Sequence, residues 1–284
     1  MHYRSTIMQK QLKTKLPTFY NEKDIYTTIL TNDMDALLCS AACKAINNWD
    51  VNYFYNFEGL YVLDADNKKE RVGLDLALTR GKTIDNHLMT YNHNTIHNPQ
   101  AINLNYTKGI VNDSYYKKFP LSTFLLLVSL YDISLNYKDE SLIKFILSVD
   151  SAHVGYYASS NRFKKVYIDW MEEMGLTKML DILARTPLDG FKEIQRKNAK
   201  LGKNISLDSN NQLQFGYWND RVLGALSNKI GFEVSLPKGQ FTLLQQFNNE
   251  EFNASSRVNQ FMTDENVFSY NFTYKKCGKV SILK

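Results

Sequence analysis

Apolar and polar positions along the chain first fall into a short buried run, Ile25 to Leu30. A stretch follows in which Ala36, Leu37, Leu38, Ala41, Ala42 and Ala45 suit a tightly packed helix. Further runs rich in β-branched and aromatic residues predict strands at Val51 to Phe54, Gly59 to Leu63 and Arg71 to Leu76, with a short one at Thr83 and Ile84. "FPLSTFLLLVSLYDISL" predicts a buried helix with Pro120 near its first turn, and "ESLIKFILSVDSAHVGYY" a second. From Arg162 the pattern stays helical through "LDILART", with Pro187 and Gly190 as its stop. Beyond Asn204 it shifts to short β-like runs, "NQLQFGYW", "FEVSLP" and "VFSYNFTYKKCGKVSIL". The expected fold is therefore α/β: a parallel sheet flanked by helices over 24–190, a basic N-terminal arm over 1–23, and a smaller C-terminal α+β domain over 200–284.

Composition narrows the class. With 44% apolar residues in 284, the chain can bury a sizeable core. Cys39, Cys43 and Cys277 have neither disulfide nor zinc spacing, and the first two read as packing residues on the small-residue helix. No apolar run long enough to span a bilayer is present, and "MHYRSTIMQKQLKTKLP" lacks the apolar block of a secretory signal. A cytoplasmic protein with no membrane partner is expected. The net charge of +5 is modest, although Arg4, Lys10, Lys13 and Lys15 make the start basic enough to meet phosphates. The tyrosine-rich stretches "VNYFYNFEGLY" and "FSYNFTYKK" suit either base stacking or strand packing, and Lys275, Lys276 and Lys279 either a phosphate-facing edge or a solvated one.

Chemistry enters with the acids. In "TTILTNDMDALLCSAA", Asp33 and Asp35 sit where a buried strand gives way to a helix. Asp75 closes the run Val72 to Leu74, and Asp85 closes Thr83 and Ile84. Parallel strands bring their carboxyl ends to one edge, where open α/β sheets hold ligands, so these distant acids can converge there. A single aspartate at a strand-to-helix junction is also an ordinary helix cap, which explains Asp33 or Asp35 but not the coincidence with Asp75 and Asp85. Asp150 and His153 lie three apart on the second predicted helix and can share a face, whereas His93 and His97 sit in an Asn-rich loop.

These residues carry a resemblance. "DMDALLCSA" resembles the first motif of the DHH phosphoesterase superfamily, Asp-x-Asp-Ala-x-x-x-Ser after a strand; Asp75 resembles its second motif, and "DNH" at Asp85 to His87 its signature. "HNPQ", followed by "FPLSTFLLLVSLYD", resembles the Asn-Pro loop and buried helix of RecJ-like members, with Asp132 or Asp150 as the fourth-motif acid. The resemblance covers residues 24–155. It implies a two-metal phosphodiesterase using Mg2+ or Mn2+ on single-stranded nucleic acid, short oligonucleotides or cyclic nucleotides. Asp75 would bridge the ions, Asp33 and Asp35 would each serve one, Asp85 would be a ligand or a supporting acid, and Asp132 or Asp150 would complete the cage. His87 would face the scissile phosphate.

Two departures from the family pattern matter. The histidine usual before the first aspartate is replaced by the run Ile29 to Asn32, and the middle histidine of the signature by Asn86. An asparagine offers an amide oxygen, which suits a hard cation such as Mg2+. The alternative is a catalytically inactive DHH-like scaffold that binds nucleic acid or a protein partner. The Gly-rich, histidine-ending motif of many C-terminal domains in the family is absent from the sequence.

Overall fold

The computed structural model describes residues 8–197, 205–216, 219–253 and 258–284. A short helix α1 (Lys10–Lys13) precedes β1 (Tyr26–Leu30), α2 (Met34–Asn47), β2 (Asp50–Tyr55), β3 (Gly59–Val62), β4 (Glu70–Leu74), β5 (Lys82–Ile84) and β6 (Ala101–Ile102). A helical stretch runs through α3 (Leu104–Thr107), α4 (Thr123–Leu130), α5 (Glu140–Ser148), α6 (Asn161–Glu173), α7 (Lys178–Arg185) and α8 (Leu188–Lys197). The chain continues with a two-stranded sheet of β7 (Ile205–Leu207) and β8 (Leu213–Phe215), then α9 (Asp220–Ile230), β9 (Thr242–Asn253), α10 (Val258–Thr263), β10 (Val267–Tyr274) and β11 (Cys277–Leu283).

The main sheet has nine strands in the order β10-β11-β9-β3-β2-β1-β4-β5-β6. From β2 to β6 neighbours run parallel, and from β2 to β10 they run antiparallel. The sheet is therefore mixed, not the parallel sheet expected. The cause is local: after β2, Asn56 Oδ1 accepts from Gly59 N (2.8 Å) and Glu58 N (3.1 Å), and Phe57 takes φ 75°, so the chain reverses into β3. That reversal leaves an edge onto which β9, β11 and β10 add. The region from 200 onward was expected to stand as a smaller domain, but its long strands extend the same sheet.

Within the parallel half, β1 lies between β2 and β4, and the chain passes from β1 through α2 to β2 before crossing to β4 on the other side. This reversal of direction makes a switch point, with a crevice outside the carboxyl ends of β1 and β4. The far edge of the sheet curls round to meet it. Thr79 N donates to Phe268 O (3.1 Å), Tyr270 N to Ala77 O (3.3 Å) and Phe272 N to Leu88 O (2.9 Å), so β10 is bonded to the loops that follow β4 and β5. Two strand systems far apart in sequence thus face each other across the crevice.

The larger core includes α2, the fully buried α4 and one face of the sheet. Ala36, Cys39, Ala42 and Cys43 have no exposed surface, and their small size lets α2 lie close against its neighbours. A second cluster of Ile29, Tyr55, Leu60, Leu76, Leu78 and Phe247 ties β1 and β2 to β9. The described part of the basic arm is packed, not free: Met8, Leu12 and Leu16, spaced four apart, are buried, and Lys13 Nζ donates to Leu130 O (2.7 Å). Lys10 and Lys15 stay exposed, and Arg4 lies outside the described residues. Pro187 opens α8 instead of ending the helical region, since a proline before the first turn sacrifices no helical hydrogen bond. Among the described residues no helix is long and apolar enough to cross a membrane.

Phe247 tests the union of the two halves. It is 2% exposed, with its ring centroid 5.4 Å from that of Tyr55 on β2 and 4.8 Å from that of Phe268 on β10. Phe247→Ala should cost about 3–5 kcal/mol in urea denaturation and shift one cooperative transition as a whole. A separate early transition confined to the C-terminal strands would contradict a shared sheet.

Candidate metal centre

The first two acids are placed by helix starts. Asp33 caps α2, its Oδ1 accepting from Ala36 N (3.0 Å), at the end where the helix dipole favours negative charge. Asp35, in the first turn of α2, is fully buried and reaches the start of a different helix: Oδ2 accepts from Thr123 N (2.7 Å) and Oδ1 from Phe124 N (2.8 Å), the first residues of α4. Ser122 caps α4 through Leu125 N (3.2 Å). The start of α2 is thus held by Asp33 and the start of α4 by Asp35, so two neighbouring carboxylates each meet a helix N-terminus.

Capping does not account for the others. Asp75 follows β4 with φ 53°, a left-handed conformation that costs a non-glycine residue free energy and persists only where its surroundings impose it. Its amide donates to Ile84 O (3.0 Å), and its Oδ1 accepts from Thr123 Oγ1 (2.7 Å). Asp85, after β5, takes His87 Nδ1 on Oδ1 (2.6 Å), and its Oδ2 accepts from His87 N (3.0 Å) and Asn103 Nδ2 (3.2 Å). His87 Nδ1 is 4.0 Å from Asp75 Oδ1. Asp150, also left-handed at φ 50°, follows α5 and lines the same cleft.

Ligand atoms of Asp35, Asp75 and Asp150 lie within 4.8 Å of one another, and so do those of Asp75, Asp85 and His87. Asp75 belongs to both groups. Asp33 lines the cleft beside them. Asn86 spends its amide N–H on Leu121 O (2.9 Å) and lies beside the Asp150 carboxylate.

The electrostatics reflect carboxylates crowded together in a buried place. Burial, then the charge of Asp150, push Asp33 up to about 7; burial and the neighbouring carboxylates push Asp35 and Asp75 well above the ordinary aspartate range. Burial alone would lower His87, but the bonded Asp85 carboxylate, followed by Asp75 and Asp150, lifts it to about 10. Among the described residues no Lys or Arg forms an ion pair with these acids. The donors are carboxylate oxygens and one imidazole, a set that suits a hard divalent ion such as Mg2+ or Mn2+ and can hold one.

Of the two candidates for the last acid, Asp150 is at the cluster and Asp132 is not. The eight-residue α4 begins at Asp35 and carries the chain about 12 Å away before Asp132, which is exposed and lies near Tyr137. His153 is turned away from Asp150: its ring stacks on Phe191 (4.4 Å) and its Nδ1 meets Leu147 O (3.0 Å). His97 packs by Tyr106 (4.8 Å), and His93 is exposed.

Sequence reasoning missed the opposite wall. A cleft of about 570 Å³ is bounded by Asp33, Asp75, His87 and Asp150 on one side and by Asn249, Ser269, Asn271, Thr273, Lys279 and Ser281 from β9 to β11 on the other. Tyr55 OH donates to Ser281 Oγ (2.6 Å), which donates to Asn249 Oδ1 (2.5 Å), fixing part of that wall. The supporting Thr123 and Asn103 were missed too. Their only signal was a polar residue inside otherwise apolar or turn-like surroundings. Comparison of the chain with protein-family models, with curated proteins and with solved structures finds no match.

The charge balance predicts a pH dependence. Asp33 keeps its proton up to about 7 in the folded metal-free protein, whereas the unfolded chain releases it near 3.8. The folded state therefore binds more protons over that interval, and its stability falls as pH rises. His87, at about 10 against an ordinary 6.5, contributes in the same direction at higher pH. The melting temperature of chelator-treated protein should drop from about pH 5 to about pH 8, and Mg2+ or Mn2+ should reverse the drop; a flat profile unaffected by either ion would refute the account. Asp75→Asn keeps an acceptor for Thr123 and tolerates the left-handed backbone, so it should raise metal-free stability at pH 8 while abolishing the metal effect.

Proposed function

We propose that the chain is a cytoplasmic two-metal phosphodiesterase of the DHH type, acting on single-stranded nucleic acid, short oligonucleotides or cyclic nucleotides with Mg2+ or Mn2+. The observation that carries this reading is the position of Asp75 as the common member of two ligand groups at a switch point. The order of the acids supports the DHH assignment: Asp33 and Asp35 after β1, Asp75 after β4, and Asp85 with His87 after β5.

Asp35, Asp75 and Asp150 would hold one ion, and Asp75 with Asp85 would hold the other, with Asp33 at the mouth. Bound divalent ions supply positive charge for the phosphate and a deprotonated water at neutral pH. The chain's own residues do the rest. Thr123 fixes Asp75 through its hydroxyl, and the starts of α2 and α4 hold Asp33 and Asp35 in place. Asp85 and Asn103 orient His87, whose Nε2 remains to face a phosphate or leaving oxygen. Asn271 would offer a neutral hydrogen bond to sugar or base from across the cleft, beside a wall held by Tyr55, Ser281 and Asn249.

Asn86 favours a second reading, a non-catalytic scaffold for nucleic acid or a protein partner. Its amide is committed to Leu121 O and replaces an imidazole that the family uses as a ligand. Titration of both metals, by calorimetry and by hydrolysis of a labelled oligonucleotide, separates the two. The phosphodiesterase reading expects metal-dependent cleavage, lost by at least about a hundredfold in Asp75→Asn and His87→Asn. Absence of binding of either ion at millimolar concentration would leave the scaffold reading.

A further inference from the structure

A second cavity lies beside the acid cleft. It is a groove of about 750 Å³ between the 112–120 segment, residues 154–158 and α6, and it differs from the cleft in chemistry. Its surface is aromatic: Tyr116 and Phe163 lie with ring centroids 5.9 Å apart and planes inclined by 30°, and Phe163 is 48% exposed. Close packing builds the floor, since a Cβ on Gly155 would stand 2.4 Å from the Tyr167 ring.

Cations rim these rings. The Arg162 guanidinium sits 3.8 Å from the centre of the Tyr116 ring and Lys118 Nζ 4.9 Å from that of Tyr115, and Lys275 also lines the groove. Among the described residues none of these three lies within ion-pair distance of a carboxylate; Lys118 is partly balanced by the charge of Asp150 across the shared rim, and Asp113 is the one acid lining the groove. The exposed Phe163 ring and the half-buried Tyr115 and Tyr116 rings, interleaved with Lys118, Lys275 and an Arg162 that also donates to the Tyr116 hydroxyl, complement a strand that offers flat bases and regularly spaced phosphates. A duplex keeps its bases stacked inside and cannot use the rings.

The groove and the cleft share a rim. Tyr115, in the groove, donates its hydroxyl to the carbonyl of Thr273, a residue of the cleft (2.9 Å). Lys276 N donates to Asn112 Oδ1 (3.2 Å) at the same junction. Asp150 lines the cleft, and the chain reaches the groove four residues later at Val154. Pro120 lines the groove next to Leu121, whose carbonyl holds Asn86 beside the acids.

We infer that this groove is the track along which a linear single strand is held, its bases on Tyr116 and Phe163 and its phosphates at Lys118, Arg162 and Lys275, while one end enters the acid cleft. The inference rests on the reading of that cleft as a phosphodiester site and narrows its substrate to a strand several nucleotides long; a cyclic dinucleotide would occupy the cleft alone.

The test uses the full chain with fluorescent oligothymidylates of two and about ten residues. Anisotropy in chelator measures binding, and hydrolysis in Mg2+ or Mn2+ is followed separately. The longer strand should bind at least about tenfold tighter, and Tyr116→Ala combined with Phe163→Ala should remove that advantage. Both side chains are partly exposed, so circular dichroism should report an intact fold. Arg162→Gln should lower the slope of log affinity against log salt by about 0.7 for the longer strand. Equal binding of the two lengths, an unaltered affinity in the double variant, or polyglutamate competing as well as the oligonucleotide would overturn the inference. Length-dependent binding through the groove without hydrolysis in either metal would uphold it and overturn the phosphodiesterase reading; dinucleotide hydrolysis without a length advantage would do the reverse.

Discussion

Carboxylates crowded into a crevice repel one another, and the organisation of this fold around its switch point follows from holding them there without a paired Lys or Arg. Backbone dipoles do much of the work. The start of α2 receives Asp33, the start of α4 receives both oxygens of Asp35, and the Thr123 hydroxyl at the head of α4 reaches Asp75. A buried helix that begins at this spot is thus a structural requirement of the acids, not a neighbour of convenience. Its apolar body, Phe124 to Leu130, in turn anchors that position in the main core. Core packing and site electrostatics are coupled through one helix.

The remaining repulsion is stored, and it gives the crevice its preference. Asp75 and Asp150 both occupy left-handed backbone conformations, which a chain selected for stability alone would fill with glycine or asparagine. His87 relieves part of the charge because Asp85 keeps its ring protonated. A divalent ion would relieve more, since it offers charge without bulk and accepts several oxygens at once. The same logic fits the opposite wall: from β9 to β11, hydroxyls, amides and Lys279 face the acids and add no carboxylate.

Much of this was legible in the sequence, and the rest fails for identifiable reasons. β1 and α2 announce themselves because they are almost wholly buried, and β2 to β5 because each carries a buried run, and the acids at the strand ends follow from them. β9 escaped notice because most of "TLLQQFNNEEFN" is exposed, leaving no alternation to read even though it joins the two halves of the sheet. α9 had signals that were available, an Asn219 cap and a left-handed Gly231 at its end, in a region whose aromatic runs suggested strands. "FEVSLP" has strand-like composition but forms no strand, Val234 N donating instead to the Ser227 hydroxyl (2.8 Å). The choice between Asp132 and Asp150 depends on which end of a helix faces the crevice, and no local pattern encodes that. The second wall is invisible for a related reason: it is brought to the acids by the curl of the sheet, a property of the whole chain.

That curl also sets an order of events in synthesis. The acids and their supporting helices, up to Asp150, emerge from the ribosome before β9, β10 and β11 exist. The parallel half can begin to collect its core from comparatively local contacts, while closure of the cleft waits for pairings such as Tyr55 with Ser281, separated by 226 positions. A nascent chain therefore carries the charged wall with nothing opposite it, and the space that would grip a ligand comes into being only as the late strands dock. Completion of the sheet and completion of the binding space are one step.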